Sequence, residues 1–229
     1  MTIANEPLAP PRVKRSVMIY PRFERFWHWT QAALILFLIF SGFVVHGTWG
    51  GMRFGAAAEW HTYAALALMV LWIFMLFWQF TTGEWHNYAP KAGLWTMMKF
   101  YGWGILTGAQ HPFHKSLRAK QNALQTMAYL GLALFIGPLL WASGLLYLTY
   151  PWWAKLGWGF GLGPVAALHT AGAFLMIVFL IGHVYIITTG RTPGEYLKQM
   201  VTGYDEIELD AAEVAYLESH HGAIRKPKG

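Results

Sequence analysis

Four long apolar blocks dominate the chain, and polar or charged residues collect between them. The blocks cover residues 26–46, 56–80, 124–148 and 165–189. A helix of about 20 apolar residues crosses a bilayer, so the pattern predicts an all-α integral membrane protein with a four-transmembrane-helix bundle. The first block follows a basic stretch, as a secretion signal does. It is nevertheless as long as a span and lacks a clear small-x-small cleavage site, so we expect an uncleaved helix.

Charge supports this interpretation and predicts an orientation. Only 12% of the 229 residues are charged, against about 25% in ordinary soluble domains. The net charge is +6, and Lys and Arg concentrate before the first block, between the second and third blocks, and after the fourth. The positive-inside rule therefore predicts that both termini are cytoplasmic, in a bacterial inner membrane.

The segments outside the blocks suggest three parts. Residues 1–20 are expected to form a cytoplasmic arm, residues 21–200 the four-helix domain and residues 201–229 a cytoplasmic tail. The short, glycine-rich segment 49–58 predicts a hairpin of the first two helices. Segment 91–101 is typical of a helix lying in the membrane interface. Aromatic residues of the third connection favour an interfacial belt: Tyr150, Trp152, Trp153 and Trp158. After Pro193 the tail predicts short amphipathic helices, followed by acidic residues and a basic end.

Four histidines lie inside the apolar blocks: His28, His61, His169 and His183. An ionisable residue within a span is a functional hypothesis by default. Because successive helices reverse direction, His28 matches the depth of His183, and His61 that of His169. The last two are 14 residues apart, which is about 21 Å along a helix and about 40° short of four turns. Two neutral imidazoles fill both axial positions of a haem iron, so the pattern predicts two stacked haems.

Other interpretations of these residues remain open. A single histidine in a span can hydrogen-bond a neighbouring helix or line a water pocket. His46 is a rival ligand for the outer haem, although its place beside Gly47 predicts that it is too shallow. Histidines of the second connection are expected to be solvated or interfacial: His86, His111 and His114. His220 and His221 of the tail are expected to have no specific role. Several glycines leave room for a flat porphyrin or for close helix packing: Gly42, Gly131, Gly137, Gly144, Gly172 and Gly182.

The chain contains no cysteine. This excludes covalent haem attachment, thiolate-held iron–sulfur clusters and disulfides within it. Any haem would be b-type, held by axial ligands and packing. Cluster or substrate chemistry would belong to another subunit.

Three segments resemble one family. Residues 22–29 read RFERFWHW, residues 82–90 read TGEWHNYAP, and residues 111–125 begin HPF and end KQNALQ. The first resembles the haem b (gamma) subunit of formate dehydrogenase and thiosulfate reductase complexes, which is similar to bacterial cytochrome b561 and hydrogenase cytochrome b. The other two resemble the thiosulfate reductase type. The resemblance covers about residues 20–200.

The resemblance implies a four-helix dihaem fold. In such a fold, His61 and His169 would ligate the outer haem, and His28 and His183 would ligate the inner haem. A periplasmic redox subunit exchanges electrons with the membrane quinone pool through these two haem b groups. That subunit is an iron–sulfur or molybdopterin enzyme or a multihaem cytochrome c.

The resemblance also implies a quinone site beside the inner haem, for menaquinone or ubiquinone. Asn122 and the backbone of Leu124 would contact the quinone, with Gln125 close by. Formate dehydrogenase members carry a glycine where Leu124 stands. Asn122 precedes the third block, so a helix N-cap is an equal alternative for it.

Two further pairs of residues have expected roles at the cytoplasmic face. Arg22 and Arg25 could pair with propionates of the inner haem, or serve only as the positive-inside signal. His114 and Glu84 are candidate proton suppliers for the quinone. Two alternative functions stay open: a transmembrane electron wire without a quinone site, and a haem-free anchor or proton carrier.

Overall fold

The computed structural model describes residues 12–113, 120–157 and 161–219. The expectations for residues 1–11, His114, Trp158, His220 and His221 lie outside these ranges. In chain order the helices and strands are β1 (Val13–Met18), α1 (Arg22–Val45), α2 (Phe54–Thr82), α3 (Leu94–Gly102), α4 (Ala123–Gly131), α5 (Gly137–Leu148), α6 (Tyr150–Trp153), α7 (Leu162–Ile187), α8 (Glu195–Thr202), β2 (Tyr204–Leu209) and α9 (Ala211–Ser219).

The four predicted spans are confirmed within a few residues. In the described parts of the chain, four helical stretches are long and apolar enough to cross a membrane: α1, α2, the α4–α5 stretch and α7. The predicted hairpin is also confirmed, since α1 packs along α2. Gly83 ends α2 in the left-handed conformation, with φ +77°, which glycine adopts readily. The helix expected within residues 91–101 is α3.

The third span contains a π turn at Leu132–Ile136, between α4 and α5. The Gly137 N–H donates to the Leu132 carbonyl, five residues earlier. Pro138 follows, and a proline lacks an N–H and clashes with the carbonyl four residues before it. The wider turn accommodates this residue without ending the span.

A buried apolar layer holds the bundle together at mid-height. It takes one residue from each span, all 6–8% exposed: Ile35, Leu68, Leu132 and Met176. Met176 is seven residues from both His169 and His183, or about 10 Å along α7 from each. The layer therefore separates two levels at which histidines enter the bundle.

A two-stranded sheet joins the two ends of the described chain. Strand β1 pairs antiparallel with β2, with Val13 opposite Leu209 and Met18 opposite Tyr204. One face of the sheet and α9 share a small core: Val17, Ile19, Ile207, Leu209 and Leu217. This sheet was not predicted. Each strand has six residues, so its alternating pattern is short, and its partner lies at the other end of the sequence.

The tail is fastened to the first turns of α1. The Arg25 guanidinium donates to the Val201 carbonyl (2.5 Å), and the Trp29 indole donates to the Met200 carbonyl (3.3 Å). Gly203 links α8 to β2 with φ +87°. We call this the sheet end of the bundle, because β1 and β2 lie there.

Candidate functional site

The structure brings the four histidines of the spans together as two pairs. The ring centroids of His28 on α1 and His183 on α7 lie 6.1 Å apart, with an interplanar angle of 45°. Those of His61 on α2 and His169 on α7 lie 6.3 Å apart, at 71°. The first pair lies near the sheet end and the second towards the opposite end. Helix α7 contributes one ring to each pair.

The separation within each pair fits one metal ion held between two imidazoles. An imidazole–metal bond is about 2.0 Å long and the ring centre lies about 1.15 Å beyond the bound nitrogen, so opposed axial rings have centroids about 6.3 Å apart. Among the described residues no group of three or more His, Cys, Asp or Glu could hold a bare ion. Two protein ligands suffice for haem iron, because the porphyrin supplies the other four nitrogens. The donor set therefore fits haem.

Serine hydroxyls fix the ring of each histidine in the second pair. Ser41 Oγ lies 2.9 Å from His61 Nδ1 and donates to the Phe37 carbonyl at 2.8 Å. In the same way, Ser143 Oγ lies 3.0 Å from His169 Nδ1 and donates to a carbonyl one turn earlier, at 2.6 Å. Since each hydroxyl hydrogen is used, Oγ accepts from the Nδ1–H. A backbone carbonyl also accepts from each ring, that of Leu38 from His61 and that of Leu140 from His169. This tautomer leaves Nε2 of both rings free to bind a metal.

A glycine follows each of these serines and lets the same ring approach closely. A Cβ added at Gly42 would lie 3.6 Å from His61 Cε1, and one at Gly144 would lie 3.3 Å from His169 Cε1. Both glycines were predicted to leave room for a porphyrin or to serve close helix packing, and in the structure they face histidine rings. The serines were missed, although the repeated Ser-Gly dipeptide in two spans was a readable signal.

The remaining glycines differ in their surroundings. A Cβ at Gly137 would lie 3.1 Å from Trp72, and one at Gly172 would lie 3.0 Å from Leu140. These two serve close helix packing. No described atom lies within 4 Å of an added Cβ at two further positions: Gly131 and Gly182.

The pair near the sheet end has different surroundings. His28 Nδ1 is buried and has no hydrogen-bond partner among the described residues. The Phe179 ring is stacked on His183 at 5.9 Å and 10°, and the Tyr129 ring lies 6.2 Å from it. This site is mainly aromatic. The rival ligand His46 is exposed, and its Nε2 lies 3.3 Å from Thr170 Oγ1.

Asn122 begins α4 and is 2% exposed. Its Oδ1 accepts from the Gln125 N–H, and Gln125 Oε1 accepts from the Asn122 N–H, which forms a capping box. The capping role is thereby confirmed. Asn122 Nδ2 donates to the Tyr101 hydroxyl (3.1 Å), which lies 3.1 Å from His111 Nε2. Burial raises the pKa of Tyr101, so this hydroxyl stays protonated near neutral pH. Leu124 packs against the apolar cluster around Tyr101.

Lys120 joins two carboxylates at the sheet end. Its Nζ lies 3.1 Å from Glu24 Oε1 and 3.0 Å from Glu84 Oε2. Glu84 also accepts from Asn87 Nδ2 at 2.6 Å. Glu84 was a predicted proton supplier. Lys120 is one of the basic residues between the second and third blocks that predicted the orientation, and Glu24 was not predicted to have a role. A carboxylate in the first turn of a membrane helix was the available clue.

The two arginines differ in their contacts. Arg25 is bound to the tail backbone through Nη1. Arg22 is exposed at the start of α1. Arg25 thus has a structural contact that accounts for its position.

Comparison with known proteins identifies the family of this chain. Residues 19–203 match the family described as prokaryotic cytochrome b561. A protein of Escherichia coli (strain K12) described as "Putative cytochrome YdhU" is 32% identical over 202 residues, covering 82% of this chain and 74% of that protein. The family match contains all four spans and both histidine pairs. The chain therefore belongs to the prokaryotic cytochrome b561 family, whose members are multi-pass membrane proteins that transfer electrons with haem b.

Proposed function

We propose that the chain is a dihaem cytochrome b that carries electrons between a periplasmic redox partner and the membrane quinone pool. His61 and His169 would hold the outer haem, and His28 and His183 the inner haem. The observation that carries the proposal is the pair of centroid separations, 6.3 and 6.1 Å. Both are close to the about 6.3 Å expected for two imidazoles on one iron.

The haem groups, when bound, supply two one-electron redox centres. His28 with His183, and His61 with His169, would supply the protein ligands of these centres. The chemistry there would then be electron transfer, without binding of oxygen or a substrate at the metal. The apolar layer of Ile35, Leu68, Leu132 and Met176 lies between the two sites and would give the space there an apolar lining. The distribution of Lys and Arg supports an inner-membrane protein with the sheet end, and both termini, in the cytoplasm.

A quinone site at the cytoplasmic end is part of the proposal. Asn122 uses its oxygen for the cap and one amide hydrogen for Tyr101, so a second amide hydrogen remains for a quinone carbonyl. The Tyr101 hydroxyl and the Glu24–Lys120–Glu84 group lie at the same end and are the candidate proton donors.

The periplasmic partner would be an iron–sulfur or molybdopterin enzyme, such as a formate dehydrogenase or thiosulfate reductase, or a multihaem cytochrome c. The absence of cysteine in the chain supports a partner that brings its own clusters.

A pyridine haemochrome assay on the purified full chain tests the haem assignment. We expect two b haems per chain, and each His→Ala variant of the four ligands should lose one. His28→Ala and His183→Ala should lose the same haem by its visible spectrum, and His61→Ala and His169→Ala the other. His46→Ala and His86→Ala are matched controls and should keep both. Colourless protein would favour the haem-free anchor. Loss of one spectral haem by both His28→Ala and His61→Ala would contradict the pairing.

The quinone site is tested separately from the haems. Asn122→Asp keeps an oxygen for the N-cap but removes the amide donor. We expect haem reduction by a quinol to slow in this variant, while reduction by dithionite stays at the wild-type rate. Unchanged quinol reduction would favour the electron wire without a quinone site.

A further inference from the structure

We infer that Ser41 and Ser143 are positioning residues that orient the outer histidines and lower the reduction potential of the haem bound there. The inference rests on the proposed function and specifies the direction of electron transfer. It makes the outer site the weaker oxidant of the two, so that electrons are favoured to move inward, towards the quinone.

The same local contact, a Ser-Gly dipeptide against a histidine ring, occurs twice. Ser41-Gly42 on α1 contacts His61 on α2, and Ser143-Gly144 on α5 contacts His169 on α7. In both cases the serine contacts Nδ1 and the glycine faces Cε1 of the same ring. We call each Ser-Gly dipeptide a histidine cradle. Two cradles on different helices place both outer rings in equivalent surroundings.

Both serines are buried. Ser41 is 0% exposed and Ser143 is 3% exposed, so bulk water does not compete for the Nδ1–H of either ring. Each serine is also held by its own bond to a backbone carbonyl. The hydroxyl oxygen is therefore fixed in the position that accepts from the ring Nδ1–H, and this bond restricts the orientation of the ring.

The inner pair differs from the outer pair in the surroundings of its rings. His28 Nδ1 has no hydrogen-bond partner among the described residues, and aromatic rings surround His183. An Nδ1–H that donates a hydrogen bond makes the imidazole a stronger donor to a metal. A stronger donor favours the oxidised metal and lowers its reduction potential. The outer site receives this effect from both of its ligands.

The test is a redox titration of the haem-loaded full chain, followed by its visible spectrum. Ser41→Ala and Ser143→Ala are each expected to raise the equilibrium constant for reduction of the outer haem about three- to tenfold. The upper end of this range meets the lower end of the about 10–100-fold changes in metal affinity or activity that loss of an outer-shell partner typically causes. At 59 mV per tenfold change for a one-electron couple, it is an upward shift of about 28–59 mV. The inner haem should keep its potential.

Control variants keep the result interpretable if an alanine variant binds haem poorly. Ser41→Thr and Ser143→Thr retain the hydroxyl and should keep the wild-type outer potential. Thr81→Ala removes a hydroxyl with the same bond to a carbonyl one turn earlier, away from the histidines, and should change neither potential. The electron paramagnetic resonance signal of the oxidised outer haem should change in the alanine variants only, since it reports ring orientation.

Three results separate failure of the inference from failure of the proposed function. An outer potential that stays unchanged in both alanine variants, with two haems bound, would overturn the role of the serines. An equal shift of both haems would overturn it too, because the effect would not be local. A wild-type chain without haem would overturn the proposed function together with the inference.

Discussion

Replacing Lys120 with methionine is expected to destabilise the sheet end of the bundle. Lys120 Nζ lies about equally far from a carboxylate oxygen of Glu24 and of Glu84, at 3.1 and 3.0 Å. The side chains of Lys120 and Glu24 are 15% and 13% exposed, and that of Glu84 is 31% exposed. Methionine keeps an apolar stem of similar length but removes the charge. The variant therefore leaves two carboxylates close together with little water around them.

The expected cost is about 3 kcal/mol. An ion pair at about 4 Å is worth about 4 kcal/mol at an effective dielectric constant of 20, and removing one partner of a buried pair costs about 3–5 kcal/mol. We take the lower end of that range, because Glu84 is the most exposed member and water screens its share. For a chain of 150–250 residues, 1 kcal/mol corresponds to about 2–4 °C in Tm. A decrease of about 6–12 °C is expected.

The assay is thermal unfolding of the purified full chain in lipid nanodiscs, followed by helical circular dichroism. Lys14→Met is the matched control, because Lys14 and Glu208 are 66% and 56% exposed and 4.0 Å apart. Such a surface pair contributes about 0–1 kcal/mol. The double variant Lys120→Met with Glu24→Gln should recover part of the loss, since it removes the repulsion. Equal Tm values for Lys120→Met and Lys14→Met would refute the reasoning.

Three further predictions concern other parts of the chain. Asn122→Ala should lower the free energy of unfolding by about 0.5–2 kcal/mol through loss of the α4 cap, measured by the same thermal assay. Asn87 is half-buried in the connection after α2, and Asn87→Ala, which removes no helix cap, should cost less than Asn122→Ala. Gly203→Ala should loosen the tail, because Gly203 has φ +87° and an added Cβ would lie 2.6 Å from the Tyr20 carbonyl oxygen. Faster limited proteolysis of the tail would reveal this, and an unchanged cleavage rate would contradict it. His46→Ala should retain both haems in the haemochrome assay; loss of the outer haem would make His46 a ligand.

The spans and the first hairpin were predictable because membrane helices follow from local composition. About 20 apolar residues in a row have few structural alternatives in a bilayer. The matching depths of the histidines were predictable for the same reason, since a helix rises by a constant 1.5 Å per residue. His169 and His183 could thus be assigned to two levels by counting along one helix.

Contacts between distant segments could not be predicted in this way. Strand β1 is six residues long and pairs with a strand about 190 residues later, so neither strand has a local partner to indicate it. The bond between Ser41 and His61 depends on the rotation of α1 against α2, which composition does not specify. The same holds for Lys120, whose two carboxylate partners come from the start of α1 and from the start of the connection that follows α2. From the sequence alone, Lys120 could be interpreted only as a positive charge near a span.

Electron transfer across a sealed membrane tests the central claim most directly. The haem-loaded chain is placed in lipid vesicles that contain ferricyanide, and dithionite, a charged reductant, is added outside. The account predicts loss of the internal ferricyanide absorbance with the wild-type chain and with His46→Ala. It predicts no loss above protein-free vesicles with His28→Ala or His61→Ala, because either variant lacks one of the two sites. Ferricyanide that stays oxidised with a wild-type chain carrying both haems would contradict the claim that the histidine pairs connect the two membrane faces.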